Sequence, residues 1–450
     1  MPASQLYHRS IHDHASVQPS YWEATAPPLA VPLSPLQGDV DCEVAIVGGG
    51  FTGLSAALHL ARDHGIAATV LEAGPIGWGA SGRNGGFACL GSSKIAGPEL
   101  VRRFGTGPTR AFFEAQVRAI GYVRELAAAE ALDIEDTGQG ELVVAHRPSR
   151  LAELRAKAEF VRATYGEDWA LLERPALAER HLDAAEAHGA LVVPHGFGLH
   201  PLRYVRGLAA AAARHGASVH PQSAVRGWTT VGGVHRLVTA QGSVRARRVL
   251  VATNGFYPEG LHPGLDGRVL PALSSILVTR PLSEAERAAH RWTEPWLLAD
   301  TRTLLFYIRL LRDGRLLFGS RGGTDASPAG FAERKAWMVD RLAAKFPRWA
   351  GVRIEHAWWG FVALAADRLP HLAPLPDAPG VWWAGLYHGG GVAMGTWFGR
   401  AVAARLAGRH EEPPLPDFVT TPPPRFPLAA LRVWLLRAAY LRYDAADERD

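Results

Sequence analysis

Apolar residues fall in short runs between glycine-rich turns, and the period of each run predicts an element. Val44, Ala45, Ile46 and Val47 are an unbroken apolar run, as a strand buried on both faces requires. Gly48, Gly50 and Gly53 follow in G-x-G-x-x-G spacing. Leu54 to Arg62 then reads as a helix, and Ala68 to Leu71 as a second strand closed by Glu72. Phe112, Phe113, Val117, Ile120, Val123 and Leu126 recur at helical spacing within 108–131. Gln139 to His146 reads as a strand, 148–163 as a helix, Tyr204 to His215 as an Ala-rich helix, and Ala217 to His220 as a strand. Ser243 to Ala252 is a strand ending in Ala252, Thr253, Asn254 and Gly255. Leu304–Leu311 and Leu316–Ser320 flank Asp313-Gly314, a hairpin signal. Residues 331–346 predict an amphipathic helix, Val381–Ala384 a strand, and a last helix runs from the Gly389–Gly391 turn to about Leu406.

The first of these units carries chemistry. Gly48 permits a tight turn, Gly50 lets a pyrophosphate approach the backbone, and Gly53 lets the helix sit close to the strand. Phe51 and Thr52 lie in the same turn, where a helix N-terminus offers free N–H groups to phosphate. Glu72 stands nineteen residues beyond Gly53, where an acidic residue meets a ribose hydroxyl. The ribose of NAD or of FAD would serve equally.

Six glycines lie between Ala73 and Phe87, so no regular structure is expected there, and the backbone suits a flat ligand. The expected cofactor contacts are Ala73, Trp78, Gly79, Ala80, Ser81, Gly85 and Gly86, with Arg83 and Asn84 as donors. Val225 and the strand end Ala252, Thr253, Asn254 join them. Gly389, Gly390, Gly391 and Val392 form a second strand–turn–helix start. A ligand-facing turn so late in the chain suits the elongated FAD better than NAD.

Composition narrows the classes. At 450 residues, two domains are expected. The chain is 48% hydrophobic and 20% charged, with net charge +5. Only four of its 48 basic residues are Lys, and the Arg residues are scattered, so no nucleic-acid surface is expected. Cys42 and Cys89 are the only cysteines, which excludes a disulfide framework and a Cys-rich metal site; no metal is expected. No apolar run approaches a membrane span, so no integral membrane segment and a cytoplasmic location are expected. The Pro-rich first 40 residues read as an extended arm. The basic stretch 426–443 suits either a membrane surface or a groove on its own protein, through Phe426, Leu428, Leu431, Trp434, Leu435 and Leu441.

The expected fold is α/β with an α+β part: a Rossmann-like dinucleotide domain and a discontinuous mixed-sheet substrate domain. The arm spans 1–40, the dinucleotide domain 41–105, 199–262 and 356–410, the substrate domain 106–198 and 263–355, and a tail 411–450.

Ser20-Tyr21-Trp22, the run 77–86 (GWGASGRNGG), DGRLLFGSRGG at 313–323, Asp367-Arg368-Leu369-Pro370 and the late Gly-rich turn together resemble the FAD-dependent amine and amino-acid oxidases. The resemblance is strongest to the gamma-glutamylputrescine oxidase branch. It implies FAD as cofactor, a small amine or amino acid as substrate, and oxidation of a C–N bond to an imine by hydride transfer, with O2 as acceptor. An amine dehydrogenase with another acceptor, or an NAD-dependent dehydrogenase, is the alternative. The family turn Gly-His-Gly-Val is Gly389-Gly390-Gly391-Val392 here, with His388 just before it. His388 is the candidate base, or else it supports the turn. Some members activate oxygen with a lysine over the flavin, yet no Lys stands between Lys157 and Lys335. His59 and Cys89 are read as structural, not as covalent flavin links. Tyr307 and Arg309, two apart in a strand, share a face. That face is expected to look toward the flavin. Tyr307 and Trp359 would wall the substrate, and Arg309 would bind an acidic group at its far end. A surface Arg309 and a core Trp359 are the plainer alternative.

Overall fold

The strand Gly38–Val47 is the spine of the molecule. It pairs in parallel with Ala68–Leu71 on one side and Gly242–Val251 on the other. Val44 and Ile46 pack into a core shared with the helices Phe51–His64, Pro201–Arg214 and Gly391–Leu406. Ala45 and Val47 point the opposite way, onto Val249, Val251 and Tyr257. Burial on both faces explains why this run is apolar at every position. The computed structural model describes residues 6–409 and 413–447. Residues 1–5 and 448–450, and the expected boundary between 410 and 411, lie outside them.

Among the described residues the first sheet has eight strands. Its main path runs His371–Pro374, Val381–Gly385, Gly242–Val251, Gly38–Val47, Ala68–Leu71, Ser218–His220. A second eight-stranded sheet runs Ile354–Leu364, Leu270–Pro281, Arg315–Arg321, Phe306–Leu310, Leu297–Asp300, Glu141–Val144, Gly189–Val193, Leu171–Glu173. The hairpin at Asp313-Gly314 forms as the sequence predicts, with Gly314 at φ +80°. Each sheet draws on segments far apart in the chain, so the discontinuous layout holds. The strand Ile354–Leu364 pairs with Leu270–Pro281 along its length. Residues 356–364 therefore belong to the second sheet, beyond the expected boundary at 355.

Opposed residues in neighbouring strands share a face. Gly360 opposes Ser274, and Ser274 opposes Arg321. Ile276 opposes Gly319, Gly319 opposes Tyr307, and Tyr307 opposes Ala299. This face looks toward the first sheet's turns. The other face carries Leu277, Phe306, Ile308 and Phe318 onto Met338 and Leu342 of the helix Pro328–Lys345.

Three expectations change. The arm is not merely extended. It holds a 3-10 turn, Arg9–His12, and a helix, Tyr21–Thr25, whose Ser20 cap accepts from the Glu23 N–H. Tyr7 donates its hydroxyl proton to the Pro271 carbonyl at 2.8 Å, and buried Trp22 donates to the Asn84 carbonyl at 2.9 Å. The 73–87 loop contains one helical turn, Ala80–Arg83. Gly82 makes that turn possible, since a Cβ there would lie 2.0 Å from the Gly77 carbonyl oxygen. In the tail, Val433 and Leu436 of the helix Arg432–Asp447 face inward, while Leu428 and Leu431 before it, and Trp434, Leu435 and Leu441 within it, are exposed. The buried Arg432 guanidinium binds Glu259 and the Val269 carbonyl, and so sets which side of the helix is covered. No helix among the described residues is long and apolar enough to cross a membrane.

The second sheet is braced by buried charge. Asp300 accepts from Arg302 at 2.5 Å, from Lys345 at 3.1 Å and from the Phe306 N–H at 3.1 Å. Removing the carboxylate would leave two buried cations short of a partner. Asp300→Ala should lower the unfolding free energy by about 3–5 kcal/mol in urea titrations; a loss below about 1 kcal/mol would show that water or Glu186 replaces it.

Candidate active site

A cavity of about 900 Å³ lies between the turns of the first sheet and the inner face of the second. At one end stands the glycine turn. Gly48 has φ +110°, and a Cβ there would lie 2.8 Å from the Ala252 carbonyl oxygen. A Cβ on Gly53 would lie 1.9 Å from the Gly48 carbonyl oxygen, so helix and strand touch backbone to backbone. A Cβ on Gly50 would meet the Ser81 hydroxyl at 2.7 Å, and that hydroxyl accepts from the Phe51 N–H at 3.0 Å. The two glycine-rich turns are thus built against each other. Glu72 accepts from the Gly49 N–H at 2.7 Å and the Gly74 N–H at 3.0 Å, one with each carboxylate oxygen. Burial raises its pKa, and these two bonds oppose the rise.

Arg83 is buried in the cavity wall. Its guanidinium sits 4.4 Å over the Trp78 ring, and burial lowers it to about 10. Trp358 donates to the Arg83 carbonyl at 2.7 Å and fixes the turn from the second sheet. Asn84 lines the cavity but offers it no donor. Its amide donates to the Ala80 and Ser81 carbonyls and accepts from the Gly86 N–H, closing its own turn.

At the far end, Tyr307 bonds the Ser274 hydroxyl at 2.8 Å and meets Phe87 edge-on at 5.6 Å. Burial pushes its phenol up to about 12. His388 sits at φ +53° with Nε2 at 3.2 Å from the Leu369 carbonyl. Burial, with Lys94 nearby, pulls the imidazole down to about 3. It is neutral at physiological pH. Arg321 donates to the His388 carbonyl at 2.8 Å and holds the turn that leads to Gly389–Gly391.

Most of the expected residues do meet at this cavity: Gly48, Gly50, Phe51, Thr52, Glu72, Ala73, Trp78–Ser81, Arg83–Gly85, Val225, Ala252–Asn254, Tyr307, His388, Gly389, Gly391 and Val392. Gly53, Gly86 and Gly390 support it from behind. A Cβ on Gly86 would meet the Leu199 carbonyl at 2.0 Å, and one on Gly390 the Ser92 hydroxyl at 2.5 Å.

Two substrate residues are corrected. Arg309 shares the face of Tyr307, as parity requires, but lies farther along the strand and away from the cavity. Its guanidinium is buried against Trp22 and Phe87 and donates to the Leu199 carbonyl at 2.6 Å. Trp359 opposes Ser275, on the other face of the sheet, and packs on Phe331. Its neighbours Gly360 and Val362 reach the cavity instead. Residues that sequence reasoning missed are Lys94, Glu141, Arg321 and, from the arm, His12 and His14. The scarcity of lysine was a usable signal for Lys94; the others have none in their local sequence.

A cofactor must satisfy what the protein leaves open. Among the described residues, four buried polar atoms of cavity-lining side chains have no hydrogen-bond partner: His12 Nε2, Arg83 Nη1, Thr253 Oγ1 and His388 Nδ1. They belong to four separate segments, alongside the Glu72 turn and the 389–391 turn. A long dinucleotide with a polar ring system at one end fits that distribution.

Comparison with known proteins agrees. Residues 43–405 match the DAO family, FAD dependent oxidoreductase. The gamma-glutamylputrescine oxidoreductase of Escherichia coli K12 is 32% identical over 393 residues, 87% of this chain and 89% of that protein. A probable oxidoreductase of Rhizobium meliloti, OrdL, is 32% identical over 397 residues with the same coverage. The crystal structure of glycine oxidase from Geobacillus kaustophilus superposes with TM-score 0.68 at 22% identity, over 85% of this chain and 98% of that one, and shows the same fold. FAD, rather than NAD, is the cofactor.

Two substitutions test the cofactor end. Gly50→Val should purify folded but without flavin, because its side chain meets Ser81 in the phosphate approach. Glu72→Ala should weaken FAD by about 1.5–3 kcal/mol in fluorescence titrations. A full flavin complement in folded Gly50→Val would displace the phosphate site from this turn.

Proposed function

The chain belongs to the DAO family of FAD-dependent oxidoreductases, and within it we propose that the enzyme oxidises the C–N bond of an amine to an imine, with O2 as acceptor. The observation that carries this is one cavity joining the dinucleotide turns to an aromatic wall, Tyr307 and Phe87, beside the 388–391 turn. The name of the Escherichia coli relative supports an amine substrate, and the resemblance to oxidases supports O2. FAD, when bound, supplies the hydride acceptor.

The protein's part is orientation and protonation. A protonated amine has no lone pair to assist loss of hydride from its carbon. Desolvation between Tyr307 and Phe87 favours the neutral amine. Tyr307 is itself held by Ser274, so the wall is rigid. His388 is a poor base at a pKa of about 3, and its Nε2 faces the Leu369 carbonyl. We assign it to supporting the turn; its Nδ1, buried without a partner, would be available to a bound cofactor. The N-terminus of the helix Gly391–Leu406 opens at the same turn, where its dipole favours negative charge developing on a bound acceptor.

Anaerobic mixing with an amine substrate should bleach the flavin, and admitting air should restore it with release of peroxide. Bleaching that air does not reverse would move the enzyme to another electron acceptor; no bleaching by any amine would end the proposal. The pH profile gives a second test. kcat/KM should rise toward the amine's own pKa, because only the neutral amine reacts. His388→Asn should keep the shape of that profile. An inflection near 6.5, present in the wild type and lost in this variant, would make His388 the base after all.

A further inference from the structure

The tail helix Arg432–Asp447 is packed on one side only. On that side Leu436 meets Leu270 and Ala272, and Val433, Tyr440 and Phe426 close the same cluster. The Arg432 guanidinium, buried there too, holds Glu259 and the Val269 carbonyl. The groove on its own protein, one of the two partners that the sequence of this stretch suits, is thereby filled. The opposite side of the helix is left over.

That side is apolar. Among the described residues ten large hydrophobic side chains are exposed, and six of the ten are Leu428, Leu431, Trp434, Leu435, Leu441 and Tyr443. Within the helix the exposed Trp434, Leu435, Ala438, Leu441 and Ala445 recur at three- and four-residue spacing, so they form one stripe. Leu428 holds left-handed backbone, φ +50°, which is costly for a leucine, yet its side chain is 68% exposed. Burial within the molecule does not offset that cost. A contiguous exposed stripe of this kind marks a docking surface.

Charge selects the occupant. From Arg425 to Tyr443 the chain carries four arginines and no acidic residue. Arg432 is neutralised by Glu259. Arg425, Arg437 and Arg442 are exposed, and among the described residues none of the three forms an ion pair. Arg437 lies 5.4 Å over the Trp434 ring and bonds the Thr324 hydroxyl at 3.1 Å; Asp325 is near enough to feel its charge. An apolar stripe with cations beside it and a tryptophan on it matches the boundary between headgroups and acyl chains of an anionic bilayer. A second copy of the chain fits less well. A two-fold contact through the stripe would bring the same arginines together, with no carboxylate in 425–443 to meet them.

We propose that this face docks the protein peripherally on an anionic lipid surface. The helix lies in the plane of the surface, with Trp434, Leu435 and Leu441 inserted and Arg437 and Arg442 among the headgroups. The docked element adjoins the cavity, because Glu259, which Arg432 grips from the helix, is in the cavity wall. The docking stands whatever the substrate.

Cosedimentation of the full-chain holoenzyme with vesicles tests it, using phosphatidylcholine alone and phosphatidylcholine mixed with phosphatidylglycerol. Wild type should bind the anionic vesicles, release them as salt is raised, and leave the neutral ones unbound. Arg437→Gln with Arg442→Gln should weaken anionic binding roughly 10- to 30-fold. Trp434→Ser with Leu435→Ser should weaken it roughly 10- to 100-fold. All four positions are exposed, so both variants should keep full flavin content and the wild-type circular dichroism. Equal binding to both vesicle types, binding to neither, or anionic binding that both variants retain would overturn the docking surface. Light scattering of the same proteins supplies the remaining outcome. A wild-type dimer that Trp434→Ser with Leu435→Ser dissolves, with no vesicle bound, would give the stripe to a second copy and overturn the proposal.

Discussion

The contact on which the rest depends is backbone on backbone at Gly48. Its carbonyl lies where a Cβ of Gly53 would be, and its own Cβ position is filled by the carbonyl of Ala252. Three segments, two strand ends and a helix start, meet with no side chain between them. A methyl group at either glycine would push the helix Phe51–His64 off the central strand, and with it the phosphate-facing N–H groups and the Gly49 amide that Glu72 holds. The cost would be felt at several residues that never touch position 48.

The two sheets supply the cavity in different ways. The first sheet offers turns at strand ends, where glycines let backbone approach a ligand. The second offers a flat inner face, whose residues are fixed by cross-strand pairing. Cross-links run between them: Trp358 to the Arg83 carbonyl, Arg321 to the His388 carbonyl, and Trp22 to the Asn84 carbonyl. In each case a long side chain from one layer or the arm holds the backbone of a ligand-facing turn. The turns are glycine-rich and could not hold their own shape; rigidity is borrowed from the neighbouring layer.

How much the sequence disclosed follows the range of the forces involved. The phosphate turn was legible because Gly48, Gly53 and Glu72 act within one β-α-β unit. The hairpin at Asp313-Gly314 was legible for the same reason. Parity correctly placed Tyr307 and Arg309 on one face. It could not show how far along the strand the cavity ends, because Leu199 and Phe87, from other segments, cover Arg309. For Trp359 the error was one of parity: Gly360, not its neighbour, opposes Ser274 on the inner face. Glu141 was invisible, and Lys94 was marked only by the scarcity of lysine, because their place at the cavity depends on the closing of the second sheet over the first.

The arm has a consequence for how the protein is made. Tyr7 bonds to Pro271, 264 residues later, and the central strand waits 204 residues for its partner Gly242–Val251. At the usual pace of synthesis, about 5–20 residues per second, the arm emerges tens of seconds at most before its contacts exist. Until then the Val44–Val47 run has one open edge and no cover on its second face. The arm is therefore among the last parts of the molecule to be locked, and a nascent chain stalled before residue 242 would display the apolar Val44–Val47 run to any chaperone at the ribosome exit.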